Sequence, residues 1–115
     1  MIDVPVARFE QLVADALDGI PAELGELIDN VAVFVEEGER NPNLLGLYQG
    51  VPLTRREYYG IGGGMPDRIT IYRRPIVMRC ATEDEVVAMV RVTVVHEVGH
   101  HFGIDDARLR ELGYG

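Results

Sequence analysis

The sequence predicts an α+β fold in which helices come first, a small sheet follows, and a long helix closes the arrangement. Three observations lead there. Apolar residues recur at three-and-four spacing over residues 6–17, short β-branched runs occupy 31–37 and 68–72, and a helical period starting at Val86 runs into a histidine cluster. Helical and strand segments that segregate along a chain give layered α+β packing rather than a doubly wound sheet.

The first element places Val6, Phe9, Val13, Ala16 and Leu17 on one stripe, which reads as an amphipathic helix ending near Gly19. Pro21 suits the first turn of a second, shorter helix with Leu24, Leu27 and Ile28 as its apolar face. "VAVFVEE" has no polar residue before Glu36, so it is expected to be a strand covered on both faces. "GERNPN" is turn chemistry, and "LLGLYQG" is a short strand or turn. "VPLTRREYY" shows no clear period, and "GIGGGMPD" reads as a loop flanking a cleft. In "RITIYRRPIV" a strand is expected with Ile69, Ile71 and Arg73 on one side and Thr70 and Tyr72 on the other. Pro75 either ends the pairing or marks an edge.

The last long element begins at "TEDE", a capping box in which Thr82 accepts the N–H of Glu85 while Glu85 reaches back. Glu83 and Asp84 complement the positive helix end. Val86, Val87, Val90, Val94 and Val95 carry the helical period onward. So many valines lower intrinsic helix propensity, so packing must hold this helix.

Bulk properties narrow the function. A chain of 115 residues with 47% hydrophobic content is expected to form a single domain over residues 1–115. The lone Cys80 excludes an internal disulfide framework and reads as a small buried hydrophobe. The net charge of −8 argues against nucleic acid as a partner. "YYGIGGGMPD" lacks the G-K-[ST] of a phosphate loop, and the Arg–Tyr clusters "RREYY" and "YRRP" are expected to pair with acids. The start shows no cationic segment ahead of an apolar run, and "VVAMVRVTVV" is short and broken by Arg91. A cytoplasmic protein without membrane contact is expected.

All three histidines lie within "HEVGHH", residues 96–101. Histidines four apart on a helix project from nearly one face, so His96 and His100 can share one Zn2+. Glu97 is rotated by about 100° from His96 and cannot join them directly, but it can reach a water on the metal as general base. A catalytic zinc takes a third protein ligand. Gly103 can adopt positive φ and turn the chain back, which brings the carboxylate of Asp106 into contention, with Asp105 and His101 as competitors.

At "HEVGHHFGIDD" the sequence resembles the zincin metallopeptidases in the extended form H-E-x-x-H-x-x-G-x-x-D. The resemblance implies His96, His100 and Asp106 as zinc ligands, Glu97 as catalytic base and Gly103 as the turn; the metzincins differ in having His where Asp106 stands. "LLGLYQGVPLTRR" and "PDRITIYRRPI" resemble small bacterial zincin-like proteins, extending the likeness over residues 30–106. It implies a minimal zincin, with a small mixed sheet, an N-terminal helix and an active-site helix carrying the motif. It further implies an edge strand that pairs with extended peptide, for which "RITIYRR" is the candidate.

With nine residues after Asp106, no Met-turn and no lower subdomain are expected. Tyr114 and Arg108 are the nearest polar groups for an oxyanion, each read first as a tail residue, so the cleft is expected to be weak alone or completed by a partner protein. Two functions follow. One is a zinc-dependent metallopeptidase acting on a peptide or protein substrate; the other is a metal-stabilised protein-binding module whose zincin site is vestigial or structural.

Overall fold

The computed structural model describes residues 1–29, 31–38, 41–50 and 67–114. The expectations for "VPLTRREYY" and for the glycine loop before Asp67 lie outside them. Among the described residues five helices and three strands follow in the order α1 (Val6–Asp18), α2 (Ala22–Ile28), β1 (Val31–Glu36), β2 (Gly46–Gln49), β3 (Asp67–Tyr72), α3 (Arg73–Val77), α4 (Glu83–His101) and α5 (Asp106–Glu111). The α+β class is as expected, with a mixed sheet ordered β1-β3-β2 in which β1 runs parallel and β2 antiparallel to β3.

The first two helices form where the spacing puts them. In α1 the buried face is Phe9, Leu12, Val13 and Ala16, while Val6 at its start stays 45% exposed. The guanidinium of Arg91 on α4 donates from Nε to the Ala16 carbonyl at 3.0 Å, serving one of the carbonyls that a helix C-terminus leaves open. Thr82 caps α4 by accepting the Glu85 N–H at 3.1 Å. The return bond from Glu85 lands on the Ala81 N–H, one residue earlier than a reciprocal box would have it.

Two strand expectations need correction. "RITIYRR" is not the edge of the sheet: β3 is hydrogen-bonded to β1 on one side and β2 on the other. Its burial agrees, since Ile69 and Ile71 are fully enclosed and Thr70 and Tyr72 nearly so. β1 is not covered on both faces, because Phe34 and Glu36 are exposed. The sequence hid this alternation because its outward positions include an apolar ring, which carries the Arg68 guanidinium 4.3 Å above it. Pro75 falls in the first turn of α3, where helical N–H groups have no partner, so its missing donor costs nothing.

The main core joins Phe9, Val13 and Ala16 of α1 to Ile69 and Ile71 of β3 and Val86, Val90, Val94 and Val98 of α4. Cys80 is buried within it, and burial raises its thiol pKa, in keeping with a packing role. A valine-rich helix is thereby held by contacts on several sides rather than by preference. A second, smaller cluster of Leu24, Val95 and Leu109, flanked by Ile104, Leu112 and Tyr114, fastens α5 beneath α4. No helix among the described residues is long and apolar enough to cross a membrane.

Helix α4 crosses β2 closely at one point. A Cβ on Gly46 would sit 2.7 Å from Thr93 Cγ2 and 3.3 Å from the Thr70 carbonyl oxygen. Gly46→Ala is therefore expected to destabilise the fold by about 1–3 kcal/mol through overpacking. Thr93→Ser, which removes the opposing methyl, should be less damaging in that background than in the wild type. Urea unfolding of the four proteins of the cycle measures this, and strictly additive effects would contradict the close crossing.

Candidate metal centre

The helix that carries the histidines stops in a defined way. Gly103 has φ +81°, its N–H bonds the His100 carbonyl at 3.1 Å, and the Ile104 N–H bonds the Gly99 carbonyl at 2.8 Å. These paired bonds form a Schellman motif, which reverses the chain at the residue whose glycine allows it. Asp105 then caps α5 by accepting the Arg108 N–H at 2.8 Å. The chain thus re-enters a helix immediately, with Asp106 as its first residue.

Lateral placement comes from Gly99. A Cβ there would meet Leu109 Cδ2 at 3.0 Å and Ile104 Cβ at 3.6 Å, so the bare backbone lets fully buried Leu109 press against α4. Seated this way, α5 presents Asp106 to both imidazoles. Asp106 Oδ1 lies 2.7 Å from His100 Nε2 and 3.2 Å from His96 Nε2. The ligand atoms of His96, His100 and Asp106 all lie within 4.8 Å of one another. Two imidazole nitrogens and one carboxylate oxygen facing a common point match the donor chemistry of a three-ligand zinc site. The hydrogen bond from His100 is the main reason that the Asp106 carboxyl is held below the usual carboxylate range.

The competing residues are engaged elsewhere. Asp105 is the α5 cap. His101 projects to the sheet, stacking on Tyr48 with ring centroids 4.0 Å apart and standing 3.7 Å from Asp67 Oδ2. Tyr48 donates its hydroxyl proton to the same carboxylate oxygen at 2.6 Å. Arg108 pairs with Glu111 at 2.9 Å, and Tyr114 packs against the smaller cluster. The backbone oxygen of Tyr114 lies 3.3 Å from His96 Nδ1. Neither this contact nor the His101–Asp67–Tyr48 group was found by sequence reasoning. The Gly at position 113 was the one signal for the former, marking a helix end whose return path could have been followed.

Glu97 stands apart from the three candidate ligands. With His96 it lines a cleft of about 280 Å³ whose other walls are residues 43–46 together with Val92 and Thr93. Burial is the leading influence on its carboxyl group and raises its pKa, against the pull of His100 and His96.

A family described as zincin-like metallopeptidase matches residues 27–115, and the chain belongs to it. No curated protein gives a significant match.

If Gly99 sets the approach of α5, Gly99→Val should push Leu109 outward and carry Asp106 off the imidazoles. Zinc affinity is expected to fall about 10-fold or more, the scale seen when supporting groups of a metal site are lost. Competition with a fluorescent chelator measures this. Unchanged affinity in a folded Gly99→Val protein would remove Leu109 seating from the account.

Proposed function

We propose that the protein is a zinc-dependent peptidase in which His96, His100 and Asp106 hold the metal and Glu97 is the general base. The observation that carries this reading is the convergence of the three ligand atoms within 4.8 Å, beside a carboxylate that lines a cleft and ligates nothing. A structural site would fill its positions with protein ligands and has no use for such an acid. Bound by these three residues, zinc would lower the pKa of a water and polarise the scissile carbonyl. Glu97 Oε would take the proton from that water as its oxygen attacks the carbonyl carbon. The same carboxyl would then give the proton to the amide nitrogen as the C–N bond breaks. Its raised pKa favours the first transfer, because a more basic carboxylate takes up the water's proton more readily.

The substrate is an extended peptide or protein segment. Among the described residues β2 is bonded to β3 alone, and Gly46 at its start lines the cleft beside Glu97. A peptide laid along that strand would enter the cleft that His96 and Glu97 line. A partner protein would speed the reaction by adding an oxyanion donor, a group often worth about 3 kcal/mol of barrier.

Glu97→Gln tests the assignment. It should retain zinc, lose hydrolysis of a mixed peptide library by about 10²–10⁴-fold, and melt no lower than the wild type, because a partly buried charge is gone. Zinc held by both proteins with no cleavage by either would leave a metal-stabilised binding module as the function. Protons compete with the metal for its ligands, so zinc affinity is also expected to drop more than tenfold between about pH 8 and about pH 5. Calorimetry at both ends of the range reads this, and constant affinity would place the metal elsewhere.

A further inference from the structure

Helix α5 ends as α4 does. Gly113 has φ +92°, its N–H bonds the Arg110 carbonyl at 3.0 Å, and the Tyr114 N–H bonds the Leu109 carbonyl at 2.8 Å. The chain is reversed a second time, and the Tyr114 side chain packs with Leu109 and Val95 in the smaller cluster. What this second reversal delivers to the histidines is a backbone oxygen, 3.3 Å from His96 Nδ1.

A carbonyl oxygen only accepts, so Nδ1 must donate to it. A neutral imidazole with its proton on Nδ1 has its lone pair on Nε2, the atom that faces Asp106 Oδ1 at 3.2 Å. We infer that the Tyr114 carbonyl is a positioning group for His96, fixing the ring's rotation and the tautomer whose Nε2 faces the cation. This rests on the metal reading above and adds to it the segment that orients one ligand. Outer partners of this kind raise ligand basicity and remove the freedom a ring would otherwise lose on binding. It also gives a role to a glycine distant from the motif, since φ +92° at position 113 strains other residues except Asn and Asp.

Two substitutions and one spectrum test it. Gly113→Val disfavours the left-handed turn and redirects the Tyr114 carbonyl, whereas Gly113→Asn tolerates that turn. Zinc affinity should fall about 10–100-fold in Gly113→Val and stay near the wild-type value in Gly113→Asn. In the zinc-loaded wild type, the His96 Nδ1 proton should be downfield and slow to exchange with water. It should be lost to fast exchange in Gly113→Val and kept in Gly113→Asn, which tolerates the turn. The wild-type spectrum needs no variant: a fast-exchanging Nδ1 proton there overturns the inference. Wild-type affinity in a folded Gly113→Val protein overturns it too, while leaving the metal reading intact. A wild-type protein with no zinc affinity overturns both.

Discussion

The approach of Leu109 to Gly99 is the contact on which the centre depends. Two histidines a turn apart on α4 need nothing beyond helical geometry to face one way. The third donor must come from outside the helix, and its position is set by where α5 is pressed. With fully buried Leu109 against a residue that has no side chain, Asp106 at the start of α5 reaches both imidazoles and the Tyr114 carbonyl just past its end reaches that of His96. Burying one leucine side chain is worth roughly 2 kcal/mol. That energy sets a carboxylate and a carbonyl in place together, which a flexible tail would have to order anew for each cation.

How much of this was legible follows from how local each feature is. The histidine pair, the Thr82 cap and the Gly103 turn are each written within a few consecutive residues, and the structure shows the local geometry they imply. The sheet was harder. "RITIYRR" and "VAVFVEE" are both apolar and β-branched, and nothing within either run says which will be flanked on both sides. Strand order is a property of partners distant in sequence, and β3 pairs with strands that precede it on either side. Phe34 shows why composition misled: an exposed ring beneath a guanidinium reads as core until Arg68 is seen above it. The Tyr114 contact was hidden for a different reason, since a backbone carbonyl has no sequence signature of its own.

The adjacent histidines show how a 100° rotation per residue divides labour on one helix. His96 and His100 face α5, while His101 faces the sheet and stacks on Tyr48. Asp67 and Tyr48, on strands β3 and β2, meet it there and tie the last turn of α4 to the sheet. The end of α4 is thus held from two directions, by α5 beneath and by the sheet beside it. A Cβ on Gly50 would come within 3.1 Å of His101 Cε1, so the chain leaving β2 also passes close to this turn. Such bracketing suits a helix end that must keep its ligands in register while its own valine-rich composition does little to prolong it.

The charges around the centre explain how it can be assembled before a cation arrives. The protein carries a net charge of −8, and the cluster adds an exposed carboxylate at Asp106 and a partly buried one at Glu97. The imidazoles favour the ionised form of Asp106, since Nε2 of His100 and of His96 approach its oxygen. Metal binding would replace the hydrogen bond between His100 Nε2 and Asp106 Oδ1, leaving the same side chains facing one another. Glu97 has no such partner at hydrogen-bond distance among the contacts described, and burial disfavours its charge. The arrangement therefore separates two carboxylates by environment: Asp106 is exposed and tied to imidazole, and Glu97 is partly enclosed, where burial raises its pKa.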